Sequence, residues 1–256
     1  MNEQTAVLTE RRERVLVITI NRPDQRNAIN RAVAHGIAGA LDELDASPDL
    51  SVGVLTGAGK GFSAGMDLKA FVAGERPWVG DRGFAGITRR SADKPLIAAV
   101  EGFAVAGGLE VALSCDLIVA SRGAKLGLPE VKRAIVPAAG GLLRLPRVLP
   151  RNVAVEIALT GEPIAAERAY ELGMINRLAE PGEALDAALE LAEVIAAAGP
   201  LALAATKRIL REATDWPDSE FFQRQDEITG PVMDSEDARE GAQAFAEKRP
   251  PVWRGQ

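Results

Sequence analysis

The chain has 256 residues, 47% hydrophobic and 4% aromatic, with 30 Lys and Arg against 36 Asp and Glu and a net charge of −6. That length suits one large domain or a domain with a small appendage, and the acidic balance disfavours nucleic-acid partners, which need clustered Lys and Arg to neutralise phosphates. One cysteine, Cys115, excludes an intrachain disulfide and any cysteine-cluster metal site.

Met1 to Arg14 is polar and charged, and no apolar run reaches the roughly 20 residues a bilayer span needs. The expectation is a cytoplasmic chain with no membrane partner. Residues 15–20 (VLVITI) form a β-branched run that stops at Asn21-Arg22-Pro23-Asp24, which predicts a buried strand and a turn. A helix follows from Asn30, with Val33, Ile37, Leu41 and Leu44 on one face and Ser47-Pro48 as its stop. Residues 51–56 predict the next strand. Residues 69–92 are irregular, Gly-rich and charged, and predict a mobile surface segment. Strands are expected over 95–100 and 116–121, with a short helix over 107–114 between them. After Pro150 helical patterns dominate, over 165–172, 183–198, 201–213 and 237–248, the last behind Ser235 as N-cap.

Two strand exits nearly repeat one another. Gly57-Ala-Gly-Lys-Gly-Phe-Ser-Ala-Gly65 and Gly102-Phe-Ala-Val-Ala-Gly-Gly108 both run from Gly-Phe to small residues and a glycine. Such loops expose backbone N–H groups, because no Cβ blocks close approach. Two of them on neighbouring strands can aim two donors at one oxygen, as an oxyanion hole does; two ordinary Gly-rich turns would look the same.

Several motifs fail on inventory. Gly61-Phe-Ser-Ala-Gly65 matches the G-x-S-x-G nucleophile elbow, but the sole histidine, His35, lies upstream on the first helix and reads as a surface residue. Gly59-Lys60 lacks the Ser or Thr of a phosphate loop, and Gly57-Ala-Gly59 lacks the third glycine of a dinucleotide fingerprint. No histidine pair offers a catalytic metal site, so no metal is expected. Acid–base chemistry is left to carboxylates. Glu110 sits one turn into a helix among Leu109, Val111, Ala112 and Leu113, and Glu130 follows Leu126-Gly-Leu-Pro129. Apolar surroundings raise a carboxyl pKa and suit proton transfer near neutrality. The alternative is a surface glutamate, or one paired with Lys132 or Arg133.

At these residues the chain resembles the crotonase (enoyl-CoA hydratase/isomerase) superfamily nearly end to end. The resemblance is carried by residues 21–28 (NRPDQRNA), 56–68 (TGAGKGFSAGMDL), 94–102 (KPLIAAVEG), 106–116 (AGGLEVALSCD), 128–132 (LPEVK), 136–141 (VPAAGG) and 244–249 (AFAEKR). It implies an α/β fold of the ClpP/crotonase type: a spiral of β-β-α turns over residues 1–195, and a helical region over 196–256 that builds a trimer, often paired to a hexamer, and closes the CoA pocket. It implies an acyl-CoA thioester substrate, coenzyme A entering as part of that substrate rather than as a cofactor. It assigns the oxyanion-hole N–H groups to Ala64 and Gly107, and CoA contacts to Ala28, Ala64, Gly65, Met66, Asp67, Leu68, Gly107, Phe245 and Lys248. Phe245 and Lys248 commonly reach a neighbouring subunit's site.

The resemblance further implies that Glu110 activates water and Glu130 protonates Cα. Keeping both glutamates favours hydration over isomerisation or a non-catalytic, RNA-binding role. Ala106 and Ala138 stand where the family often has glycine, and their methyls are expected to narrow the acyl pocket. Residues 83–88, 144–150 and 235–253 look especially like carnitinyl-CoA dehydratases. Trp78 and Phe84 are read as packing or lid residues whose faces can also meet a cationic acyl chain.

Overall fold

Aliphatic and β-branched runs build the frame. The structure, a computed structural model, describes residues 5–256. β1 (Val7–Arg12) pairs antiparallel with β2 (Val15–Ile20), and α1 (Arg31–Ala46) leads to β3 (Val52–Gly57). α2 (Leu68–Val72) is followed by the hairpin of β4 (Trp78–Val79) and β5 (Gly83–Phe84). β6 (Leu96–Val100), β7 (Phe103–Val105) and α3 (Gly107–Ala112) come next, then β8 (Leu117–Ser121) and β9 (Lys125–Gly127). α4 (Gly141–Val148), α5 (Arg151–Thr160), β10 (Ile164–Ala165), α6 (Ala166–Glu171) and β11 (Arg177–Ala179) precede α7 (Ala184–Ala196). α8 (Pro200–Glu212), α9 (Phe221–Met233) and α10 (Glu236–Glu247) complete the chain.

A six-stranded sheet runs in the order β1-β2-β3-β6-β8-β11, parallel except for β1. A second sheet runs β10-β9-β7, and a parallel bridge from Ser63 to Ala104 adds the β3 exit at its edge. Each turn of chain therefore places one strand in the large sheet, one extended stretch in the small sheet, and then a helix: β3, Ser63, α2; β6, β7, α3; β8, β9, α4. This is the expected α/β spiral of β-β-α turns.

The parallel strands are buried on both faces, which explains their unbroken apolar sequences. Leu55, Leu96, Ala98 and Ile118 face the larger core with Ile37 and Leu41 of α1. Val54, Ile97, Ala99 and Val119 face α7. α7 buries Ala184, Ala188, Ala192 and Ala196, a stripe of small residues at i, i+4 that lets the helix lie close on the sheet. α8 and α9 bury no residue, and Leu210, Phe222, Met233 and Phe245 of the last three helices are exposed.

The structure differs from expectation in three places. Residues 69–92 lie at the surface only in their first half: Lys69 and residues 71–74 are exposed, but Phe84, Ala85, Ile87, Thr88 and Ala92 are buried, and buried Arg82 pairs with Asp42 of α1 at 2.5 Å. The charged and glycine residues that suggested mobility cap a packed hairpin. The helix after Gly107 ends at Ala112, where the Ser114 hydroxyl donates 2.7 Å back to the Glu110 carbonyl. The short strands β7, β9, β10 and β11, and helices α4, α5 and α9, lack a sequence period long enough to announce them. Among the described residues no single helix is long and apolar enough to cross a membrane.

Candidate active site

The two Gly-rich exits lie side by side because β3 and β6 are hydrogen-bonded neighbours. Phe62 N–H donates to Phe103 O at 3.0 Å, and Val105 N–H to Ser63 O at 3.1 Å. Glycine is required where they touch. A Cβ on Gly65, which has φ +89°, would stand 2.9 Å from Gly107 N and 3.0 Å from Ala106 Cβ. A Cβ on Gly107 would stand 2.7 Å from the Phe84 ring, and one on Gly108 would collide with Ser63 O.

The donors at this junction are unequal. Gly107 opens α3, so its N–H precedes the first intrahelical bonds, those of Leu109 and Glu110 to Ala106 O. Ala64 N–H, in contrast, donates to Arg26 O at 3.0 Å. The turn over residues 22–28 reaches back across the exit, and Arg26 and Asn27 both adopt positive φ to do so. Buried Asn27 ties the turn down: its Nδ2 donates to Ala58 O and Gly61 O, and its O accepts from Ser63 Oγ. Ser63 Oγ then accepts from Gly65 N–H at 3.1 Å. The serine of the apparent nucleophile elbow is thus fully buried as a brace of the exit.

Glu110 and Glu130 meet in one cavity of about 320 Å³, whose lining also includes Ala64, Gly107, Ala138 and Ala139. Glu110 projects from α3, is 3% exposed, and its Oε1 accepts from Ala139 N–H at 2.8 Å and Gly141 N–H at 2.9 Å. Burial raises its pKa; the two N–H donors and the nearby Arg144 guanidinium oppose the rise. A Cβ on Gly141 would lie 3.0 Å from Glu110 Cγ and 3.1 Å from its Oε1, pressing on the carboxylate.

Glu130 is the second residue of the 3₁₀ turn Pro129–Arg133 and is 6% exposed. Its Oε2 is buried without a hydrogen-bond partner. Burial pushes its pKa up to about 7, and the Glu110 charge adds to the rise. Glu130 is no surface residue, Lys132 pairs instead with Glu162 at 2.5 Å, and Arg133 makes no salt bridge to Glu130, its charge only opposing the pKa rise.

Met66, Leu68, Trp78, Phe84, Ile135 and Val136 give the cavity an apolar wall, and Arg26 and Arg133 supply its cations. The methyl-bearing Ala106 and Ala138 both line it. Ala28 and Asp67 stand behind the wall rather than in it. Arg22 Nη1 joins them, donating to Ala28 O at 2.6 Å and Asp67 Oδ2 at 2.9 Å, and Ile29 bridges to Met66. Asp67 also caps α2. Phe245 and Lys248 do not reach this cavity within the chain: Phe245 is 87% exposed, at the far end of α10.

Sequence reasoning missed Arg144. It curls back one turn along α4 to donate to Thr88 O at 2.5 Å and Ala139 O at 3.3 Å, holding the loop that clasps Glu110. The signal was an arginine four residues after Gly140, the first charge after Arg133. His35 is exposed on α1, as expected. Cys115 is half-buried, and desolvation raises its thiol pKa, which disfavours the nucleophilic thiolate.

Residues 10–256 match the enoyl-CoA hydratase/isomerase family. A carnitinyl-CoA dehydratase of Salmonella enteritidis PT4 is 44% identical over 249 residues, covering 94% of this chain and 95% of that protein. Among solved structures, enoyl-CoA hydratase EchA1 from Mycobacterium marinum superposes with a TM-score of 0.97 at 58% identity, over 99% of this chain and all of that one. Carnitinyl-CoA hydratase from Mycobacterium avium superposes with a TM-score of 0.79 at 44% identity over the same shares.

Proposed function

Since the chain belongs to the enoyl-CoA hydratase/isomerase family, we propose that it adds water reversibly across the 2,3 double bond of a 2-enoyl-CoA thioester. One observation carries this reading: two buried carboxylates share a cavity, one clasped by backbone donors and the other left with an unpartnered oxygen. Different environments divide the acid and base roles between like groups.

Glu110 keeps one oxygen on the Ala139 and Gly141 N–H groups, which leaves Oε2 for water. As water oxygen bonds to Cβ, the water proton passes to Glu110. Glu130, whose pKa near 7 keeps much of it protonated, delivers its proton to Cα. The product gains one water, and the proton lost by Glu130 is balanced by the one Glu110 gains. The enolate oxygen between these events meets the Gly107 N–H at a helix start, where partial positive charge favours it. Ala64 N–H joins only by sharing or releasing its bond to Arg26 O.

Ala28 and the Ala64–Leu68 stretch form the CoA-facing strap in this reading. Residues 1–195 carry the chemistry, and 196–256 serve assembly. The exposed Phe222, Met233 and Phe245 suit a trimer in which Phe245 and Lys248 close a neighbouring copy's CoA site.

The 44% identity to a carnitinyl-CoA dehydratase supports a second reading, dehydration of a betaine thioester. Two arginines in the cavity wall, and no carboxylate beyond the glutamate pair, weigh against a cationic acyl chain. Loss of enoyl-thioester absorbance, followed across crotonyl-CoA, longer enoyl-CoAs and crotonobetainyl-CoA, decides between them. Turnover of crotonyl-CoA with little on crotonobetainyl-CoA is expected. Silence on every thioester would sink hydration altogether, and a Glu110→Gln variant that loses hydration but keeps double-bond migration would indicate an isomerase.

A further inference from the structure

We propose that Trp78 sets the length of the acyl chain, its indole being the stop at the far end of the cavity; the choice of thioester probes rests on the hydratase reading above. The Gly107 N–H marks the end where the thioester oxygen is held, and the Phe84 ring packs directly against Gly107. Trp78 is the register partner of Phe84 in the β4–β5 hairpin, and their rings meet edge to face at 5.3 Å and 68°. A chain leaving the thioester therefore runs along Phe84 and arrives at Trp78.

Beyond Trp78 lies a second cleft, about 500 Å³, bordered by Arg31, His35, Glu75 and Arg76. Trp78 lines both spaces, so it is the partition between them. The two rings are held differently. Phe84 is 3% exposed, whereas Trp78 is 37% exposed, with one side open to the second cleft. The hairpin that presents them is pinned at its turn by buried Arg82, which binds Asp42 of α1 and the carbonyls of Arg90 and Ser91. Removing the indole thus opens a passage without freeing the hairpin. With Trp78 in place, methylenes that pass the Phe84 ring are stopped by the indole. Without it they can enter the space it vacates, and burial of about two further methylenes suffices for a tenfold gain.

The experiment compares wild type with Trp78→Ala and Trp78→Phe. Two ratios are read, both dodecyl over butyl chain: kcat/KM for the 2-enoyl-CoAs, and the association constant for unreactive butyryl-CoA and dodecanoyl-CoA by calorimetry. Trp78→Ala should raise both ratios tenfold or more, while Trp78→Phe, which keeps a ring in the partition, should change them less than threefold. A binding ratio within twofold of wild type in Trp78→Ala, or equal shifts in the two variants, overturns the assignment. Binding of the saturated thioesters without turnover of any enoyl-CoA would overturn hydration instead, and the calorimetric ratio would still judge Trp78.

Discussion

Glu110 and Glu130 face one cavity with the same side chain and nearly the same burial, yet their surroundings are built in opposite ways. Glu110 rises from a helix and is clasped by two N–H groups of the loop entering α4, with Arg144 holding that loop from behind. Glu130 sits in a 3₁₀ turn, and its Oε2 is buried with no partner. Two donors from another loop offset the cost of burial at Glu110, whereas at Glu130 the only backbone donor opposing it is its own N–H, and Oε2 stays unpartnered. The lesson is that what distinguishes two like carboxylates here is a loop far along the chain, closing on one and not on the other.

The largest test removes each charge. Glu110→Gln and Glu130→Gln should each lower kcat by about 10²–10⁴-fold, and the double variant should fall little below the worse single, because the two act as a unit. Gly141→Ala sharpens the comparison from Glu110's side alone. The added methyl, 3.0 Å from Cγ and 3.1 Å from Oε1, pushes at the carboxylate its own N–H holds. We expect about 10–100-fold loss in kcat with little change in KM, since a misplaced reacting group costs turnover rather than binding. Equal activity in Gly141→Ala and wild type would mean that the clasp is irrelevant to the chemistry.

The second test reads the unpartnered oxygen as stability. Glu130 binds its proton more tightly in the fold, with a pKa of about 7 against an ordinary 4.5. Its favourable contribution is present below pH 4.5 and is lost as pH rises through about 7, because the charged form must then stay buried. Glu130→Gln carries no such charge. Its stability relative to wild type should rise by about 2 kcal/mol between pH 5 and pH 8, a relative gain of roughly 5 °C in thermal midpoint. Glu110→Gln should show a smaller pH-dependent gain, because its clasp already offsets burial. The same rise in both variants would erase the distinction between the two sites.

Much of this was legible in the sequence. The runs at 15–20, 51–56 and 95–100 mark three buried strands, and the family resemblance supplies their arrangement as a β-β-α spiral. The repeated Gly-Phe exits point to the junction where Gly65 and Gly107 touch. What stayed hidden depends on long-range closure. Arg82 looks like one more surface charge until α1 supplies Asp42, forty residues away. Nothing local to Ala64 reveals that Arg26 O takes its N–H, since that contact needs two consecutive positive-φ residues in the preceding turn. The clasp on Glu110 comes from residues 139 and 141, and Arg144 was its only trace. Phe245 and Lys248 had a site only by resemblance, and within one chain they stand away from the cavity.

The smallest test compares the backbone beside each glutamate. Both sites carry an alanine at positive φ: Ala106, just before Glu110's helix, and Ala134, which ends Glu130's turn. They are not equivalent. Ala134 sits at φ 53°, ψ 33°, the left-handed helical basin, where a Cβ costs about 1–2 kcal/mol. Ala106 sits at φ 52°, ψ −132°, outside that basin and in territory left almost entirely to glycine. Replacing either by glycine relieves strain but loosens the unfolded chain by about 0.4–1 kcal/mol. The two terms nearly cancel at Ala134, so Ala134→Gly should leave the thermal midpoint within about 1 °C. At Ala106 relief should win by about 1 kcal/mol, raising the midpoint by about 2–4 °C. Thermal unfolding of the two variants under one buffer reads the difference directly. A larger gain at Ala134 than at Ala106 would show that the strain does not lie on Glu110's side. If Ala106→Gly stabilises as expected, the chain holds a strained methyl against the cavity wall where glycine would be more stable. That assigns the methyl to shaping the acyl space, and ties the firm positioning of Glu110 to a backbone held under tension.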